Sequence, residues 1–182
     1  MGLEPYEVRY VAYTGKAANV LKNKGCPEAT TVHRLIYHAT LMPNGKYKFA
    51  PKRPSELAKE GIRVVVVDEV SMLPRKMWEL LCSYNFYIIA AGDPEQLPPI
   101  MESAKEDPNN HVLDAPHIFL DEIMRQAQES EIIRLSMHVR EGKSLNSFDC
   151  KNEQVMLIDR NAVSNDVLTW ADQILCATNK VK

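Results

Sequence analysis

The 182 residues carry 22 Lys and Arg against 24 Asp and Glu, a formal net charge of −2, with 45% hydrophobic and 25% charged side chains. That balance excludes a highly charged disordered chain, and no apolar run approaches the roughly 18 residues a membrane span needs. Cys26, Cys82, Cys150 and Cys176 share no short spacing, so neither a disulfide framework nor a CxxC metal site is indicated; no charged leader precedes an apolar segment, and a soluble protein of the reducing cytoplasm is expected.

Val8 to Tyr13 is a short β-branched run ending at Thr14-Gly15, and Lys16 to Asn23 has helical character, so a strand, turn and helix are expected first. A second helix is expected around Thr31 to His38, capped by Thr30 or Thr31. Pro43-Asn44-Gly45 signals a turn between Ala39 to Met42 and Lys46 to Ala50. The resulting hairpin puts Tyr47 and Phe49 on one face and Lys46 and Lys48 on the other. Ile62 to Val67 reads as a parallel strand buried on both faces, followed by a helix at Pro74 to Tyr84 and a similar strand at Phe86 to Ala91. After a polar surface loop at Glu102 to Asn110, His117 to Leu120 gives a weaker fourth strand. Glu129 to Glu141 is an amphipathic helix stopped by Gly142. Val155 to Ile158, a helix around Val163 to Gln173, and Ile174 to Ala177 supply another β-α-β pass. Strands alternating with helices predict an α/β fold with a mostly parallel sheet.

The charge is unevenly placed. Residues 9 to 59 hold seven Lys and three Arg against Glu28 and Glu56, a balance of +8, whereas residues 61 to 130 hold five basic against twelve acidic residues, a balance of −7. A basic stretch bearing Tyr37, Tyr47 and Phe49 suits a nucleic-acid backbone with bases stacking nearby; charge alone fits a solvated lysine-rich surface better.

The most informative stretch is Val64-Val65-Val66-Val67-Asp68-Glu69, which sets two acids at the carboxyl end of a buried strand, where ligands of α/β sheets bind. Such a pair suits a cation and a water-activating base, although two solvated acids are the plain alternative. Phe86 to Ala91 runs into Gly92-Asp93-Pro94-Glu95-Gln96-Leu97-Pro98-Pro99. There a strand-end glycine permits close backbone approach to a ligand, and Gln96 both donates and accepts without adding charge.

Asp68-Glu69-Val70-Ser71-Met72-Leu73 and Gly92 to Pro99 resemble motifs II and III of superfamily 1B DNA helicases of the RecD and phage Dda type, which include the exodeoxyribonuclease V alpha subunit. Tyr13 to Ala18 resembles motif Ia, Thr31-Val32-His33-Arg34-Leu35 the short DNA-contacting motif after it, and Glu122-Ile123-Met124-Arg125-Gln126 motif IV. Ile174 to Asn179 resembles a later strand of the second motor domain. The resemblance implies an incomplete RecA-like P-loop NTPase sheet over residues 1–124, with a strand-separating pin inserted at about 39–53, and the start of a second RecA-like domain over 125–182. It implies ATP and Mg²⁺ as cofactors, with Asp68 on the metal, Glu69 activating water, Gln96 coupling the γ-phosphate to the DNA site and Arg125 as an arginine finger. Arg125 equally suits a salt bridge to Asp121 or Glu122. Thr14, Lys16 and His33 would meet single-stranded DNA, and Phe49 or Tyr47 would be the wedge of the pin; a His on a helix also serves as cap or core, and the hairpin also reads as an ordinary surface hairpin.

Thr14-Gly15-Lys16 does not complete a phosphate-binding loop. The motif G-x-x-x-x-G-K-[ST] needs Gly where Tyr10 stands and Ser or Thr where Ala17 stands. The Walker A loop and motifs V and VI are therefore expected outside this sequence, making it an internal segment of an ATP-dependent 5′ to 3′ helicase that is inactive alone. A non-catalytic module binding single-stranded DNA or protein is the alternative, and another Mg²⁺-dependent P-loop ATPase is a third reading. Loss of a neighbouring strand would leave an open sheet edge, so a complementing helicase chain or self-association is expected, with no membrane partner.

Overall fold

The computed structural model describes residues 2–99, 108–120, 130–152, 154–170, 172, 174 and 175. The chain divides into two compact units, 1–119 and 120–182.

The first unit is built on a four-stranded parallel sheet. Its strands are β1 (Val8–Ala12), β2 (Thr30–Thr31), β5 (Val64–Asp68) and β6 (Tyr87–Ala90), in the order β2-β1-β5-β6. Two further strands, β3 (Tyr37–Leu41) and β4 (Tyr47–Pro51), form a separate antiparallel ribbon. The expected α/β class with a parallel sheet and a hairpin is what the chain adopts. Its four-valine run occupies the central strand: β5 pairs with β1 from Val8↔Val64 to Ala12↔Asp68 and with β6 from Val64↔Tyr87 to Val67↔Ala90. Val65 and Val67 are fully buried, as continuous β-branched residues in a parallel strand should be.

Helices α1 (Gly15–Asn23), α2 (Val32–Ile36), α3 (Pro54–Lys59) and α4 (Arg75–Ser83) connect the strands. Thr14 caps α1 through Oγ1, which accepts from the Ala17 N–H at 3.1 Å, and Thr31 caps α2 in the same way from Arg34 at 3.3 Å. The helix expected to reach His38 stops at Ile36, because Tyr37 turns extended and enters β3. The core gathers Val11, Val32, Ile36, Leu57, Val65, Val67, Val70, Leu73 and Leu81, all buried.

The ribbon turns where Pro43-Asn44-Gly45 predicts. Gly45 takes a φ of 75°, the left-handed conformation this turn requires, and Asn44 Oδ1 accepts from the Lys46 N–H at 3.0 Å. Its root is bolted to the unit by a residue that no sequence motif singles out. The buried Tyr84, just past α4, donates its hydroxyl to Lys52 O at 2.8 Å and to Ile36 O at 3.4 Å, spanning both ends of the ribbon. Glu56 of α3 meets His38 at 3.2 Å, and Glu60, just past its end, meets Lys52 at 3.3 Å.

His117 to Leu120 forms no strand. Ile118, Phe119 and Leu120 are 80%, 68% and 91% exposed, and among the described residues no strand lies beside the run to pair with it.

In the second unit the expected amphipathic helix is α5 (Glu131–Arg140), and α6 (Asn165–Trp170) is a shortened version of the helix expected at 163–173. Val155 to Ile158 is not a strand, for the same lack of a partner, nor are Ile174 and Leu175; Cys176 and Ala177 lie outside the described residues. The anchor here is Glu131, 1% exposed, whose carboxylate accepts from the Lys151 and Asn152 N–H groups and from Arg134 Nη1. Arg134 also lies over the Phe148 ring at 5.1 Å. Among the described residues no helix is long and apolar enough to cross a membrane.

Tyr84→Phe keeps the ring in the core and removes both hydrogen bonds to the ribbon. It is expected to lower stability by about 1 kcal/mol, and to raise amide exchange at the root of the ribbon before the β1–β5–β6 ladder opens. Urea titration and hydrogen exchange check this; unchanged protection of Lys52 would show that the hydroxyl does not hold the ribbon.

Candidate nucleotide and nucleic-acid site

Because β1, β5 and β6 are parallel, their carboxyl ends share one edge of the sheet. The loops leaving that edge carry Thr14 to Lys16, Asp68-Glu69 and Gly92 to Gln96. Three sequence segments far apart in the chain are therefore brought to one side of the fold, where α/β sheets bind ligands.

Asp68 ends β5 with a half-buried side chain, and its Oδ1 accepts from the Glu69 N–H at 3.0 Å. Glu69 sits at φ 53° and ψ 44°, a left-handed conformation that costs a non-glycine residue roughly 1–2 kcal/mol. Backbone hydrogen bonds on its carboxyl side hold it there. The Val70 N–H donates to Ala91 O at 3.0 Å, and the Ala91 N–H to Val67 O at 2.8 Å, lacing the acidic turn to the end of β6. Asn110 completes the brace, donating from Nδ2 to Val70 O at 2.8 Å and to Leu73 O at 2.7 Å while Oδ1 accepts from the Val112 N–H. Sequence reasoning missed Asn110; its one signal was a turn-forming residue at the end of a polar loop.

Gly92 is needed where the two loops close on each other. A Cβ there would lie 3.1 Å from Val70 Cγ1, 3.1 Å from Leu113 Cδ1 and 3.2 Å from the Val70 backbone nitrogen. A side chain here would therefore push the two loops apart. Beyond it, Asp93 Oδ1 accepts from the Glu95 N–H, and Asp93 O from the Gln96 N–H at 3.2 Å, so the exposed Gln96 leaves a braced turn. Ser71 Oγ, in the same acidic turn, is buried with no hydrogen-bond partner among the described residues.

Among the described residues no group of three or more His, Cys, Asp or Glu could hold a metal ion by itself. One carboxylate fits Mg²⁺ arriving with nucleotide phosphates, since that ion takes one or two carboxylates together with substrate oxygens. Arg125 lies outside the described residues.

Lys16 is exposed at the start of α1, and Thr14 is committed to capping it. His33 lies at the centre of a ring cluster, with centroids 5.7 Å from Tyr13, 6.0 Å from Tyr37 and 5.9 Å from Phe49. Burial pushes the His33 pKa below, and the Tyr37 pKa above, their usual values. The structure thus places His33 and Phe49 together and sets Asp68, Glu69 and Gln96 on neighbouring loops.

Asn110→Ala takes the donor from Leu73 O and leaves Val70 O with the Leu73 N–H alone, and is expected to cost about 1–3 kcal/mol in chemical denaturation; a smaller change would mean that the turn stands without its brace. For His33 the folded pKa is the lower one, so the unfolded chain takes up the proton first. Its contribution to stability is complete above the unfolded value of about 6.5 and is lost as pH falls from there through the folded value. The denaturation midpoint should therefore fall as the pH is lowered through the unfolded value and below it, and fall less in His33→Phe.

A family model described as an AAA domain matches residues 2–161. An uncharacterized protein of Acanthamoeba polyphaga mimivirus is 37% identical over 106 residues, covering 52% of this chain and 21% of its own length. The chain thus spans about a fifth of that curated relative. Among solved structures, Bacteroides Pif1 bound to ssDNA aligns at 17% identity with a TM-score of 0.27, over 53% of this chain and 30% of that one. With 160 of its residues inside the matched span, the chain belongs to the AAA domain family.

Proposed function

We propose that the chain works as part of an ATP-dependent 5′ to 3′ DNA helicase of the superfamily 1B, RecD-like type. Residues 1–124 would belong to the first RecA-like motor domain, with the ribbon as its pin, and 125–182 to the start of the second. The carrying observation is the convergence of Asp68-Glu69, the Gln96 loop and Thr14 to Lys16 on the carboxyl edge of one parallel sheet.

Bound Mg²⁺–ATP would supply a polarised γ-phosphoryl group. Asp68 would hold the metal through its carboxylate. Glu69, fixed in its left-handed turn, would accept the proton of the attacking water, and Gln96 would couple the γ-phosphate to the DNA site from its braced loop. Arg125 would neutralise charge developing on the phosphoryl oxygens. Lys16 and Thr14 would meet strand phosphates.

The 182 residues contain no G-x-x-x-x-G-K-[ST] loop to cradle the phosphates. The β6 edge supports completion by another strand, since β6 pairs only with β5 among the described residues. A complementing helicase chain or a second copy would cover it.

A second reading is a non-catalytic module that binds single-stranded DNA, favoured by the ring cluster around His33 on a basic segment. One experiment separates the two. The isolated 182-residue chain is expected to release no phosphate from ATP with or without single-stranded DNA. DNA-stimulated turnover abolished by Glu69→Gln would refute inactivity of the chain alone. Salt-dependent DNA affinity, weakened by Lys16→Ala and indifferent to ATP, is the outcome for the binding module.

A further inference from the structure

Four of the ten cations in the basic segment 9–59 meet in one place. Arg9, Lys22, Arg34 and Lys52 line a cleft of about 290 Å³ beside β2, the outer strand of the sheet, together with the carboxylates Glu28 and Glu60. The cations come from four parts of the chain: β1, the last turn of α1, α2 and the root of the ribbon. Neither Asp68, Glu69 and Gln96 nor Lys16 and His33 line it, so the cleft is separate from the candidate site at the carboxyl edge.

The two inner cations are held without being used up. The Arg9 and Lys52 side chains are 18% and 17% exposed, whereas their partners Glu28, at 3.1 Å, and Glu60, at 3.3 Å, are 76% and 39% exposed. Arg9 gives Glu28 only Nη1, which reaches the carboxylate and, at 3.5 Å, the main-chain carbonyl; among the described residues its Nε and Nη2 donate to nothing. Lys22 and Arg34 are exposed, and among the described residues no hydrogen bond or ion pair engages either side chain.

Four positive groups thus face two negative ones, a balance of +2 within one concave wall. Elsewhere in the unit the arginines are matched singly, Arg63 by Glu7 and Arg75 by Glu79. Like charges gathered in a concavity repel one another and focus their field there, so the cleft favours an anion. Guanidinium forks fit phosphate oxygens in pairs. The volume lies at the low end of small-molecule sites, roughly 300–1,000 Å³, which suits a small ion better than a polymer.

We propose that this cleft binds a phosphate dianion, carried by inorganic phosphate or by a small phosphomonoester, with Arg34 and the free edge of Arg9 on its oxygens and Lys22 and Lys52 completing the charge. The site is independent of the helicase reading. Because its cations belong to four elements, the bound anion also ties β1, α1, α2 and the ribbon root together and stabilises the unit by mass action.

The test titrates the 182-residue chain calorimetrically with inorganic phosphate, thymidine 5′-monophosphate and thymidine. Mg²⁺ is left out, sodium chloride holds the ionic strength constant, and the pH is about 8, where phosphomonoesters are dianions. The anions are expected to bind and thymidine not to. Tighter binding of the monophosphate identifies a phosphomonoester as ligand, and equal or weaker binding identifies free phosphate. Arg34→Ala and Lys22→Ala should each weaken binding by about tenfold, with unchanged circular dichroism because both side chains are exposed. Glu28→Gln releases Arg9 and should tighten binding severalfold, an effect that loss of a merely structural ion pair does not produce. No binding of either anion overturns the proposal. So does binding that both alanine variants leave unchanged, which places the anion elsewhere on the chain. Binding of single-stranded DNA through Arg34 and Lys22, with neither small anion bound, assigns the cleft to a nucleic-acid backbone and likewise overturns it.

Discussion

The ladder between β1, β5 and β6 is the constraint on which the rest depends. Five residue pairs tie β5 to β1 and four tie it to β6, all in parallel register. Parallel pairing fixes direction as well as position: once Val64 to Val67 are buried between two neighbours, Asp68 must emerge at the same edge as Thr14 and Gly92. A one-residue slip of β5 would exchange the environments of its two faces and carry the acidic pair away from the loops beside it. The buried valines therefore do more than stabilise the sheet; they fix where Asp68 and Glu69 emerge.

The acidic turn shows how local strain is supported by neighbours. Glu69 in a left-handed conformation would relax in an isolated peptide, where nothing opposes it. In the fold, hydrogen bonds from Val70 to Ala91 and from Asn110 to Val70 and Leu73 hold the turn from opposite sides. Gly92 then lets the second loop close onto Val70, with Leu113 packed against both. Two loops that would carry different functions are thereby one packed body, and a shift in either is felt at once by the other.

How much of the structure is legible in the sequence depends on the range of each interaction. The valine run, the Pro43-Asn44-Gly45 turn and the Thr31 cap are local, and all appear where the residues put them. The overestimates have a common cause: His117 to Leu120 and Val155 to Ile158 are apolar enough for strands, but a strand exists only if a partner lies beside it. The two-residue β2 is too short to leave a pattern. The α3 helix is too short for periodicity to show it, although Pro54 followed by Glu56, which closes onto the Arg53 N–H at 2.7 Å, is a start signal. The positions of Asp68, Glu69 and Gln96 at the carboxyl ends of β5 and β6 are legible because each stands at or soon after the end of its strand. Asn110 and Tyr84 are not, since each acts on residues 32 to 48 positions away.

Tyr84 also determines what the ribbon can be. Helix α4 begins just after the acidic turn at Arg75 and ends at Ser83, a rod of about 13 Å. Its amino end lies beside Pro108, whose carbonyl accepts from the Arg75 N–H at 2.8 Å, and its carboxyl end delivers Tyr84 to the ribbon root. With Met77 and Leu81 buried along its length, the helix cannot bend without opening the core. The ribbon is consequently mounted on the same rigid element that comes after the carboxylates, and its aromatic face keeps a fixed bearing relative to the edge of the sheet. A hairpin joined only by its two chain ends would have no such bearing, and its exposed rings would average over many directions. The buried hydroxyl acts together with the Glu56–His38 and Glu60–Lys52 pairs, so the root of the ribbon is held from α4 and from the end of α3 at once.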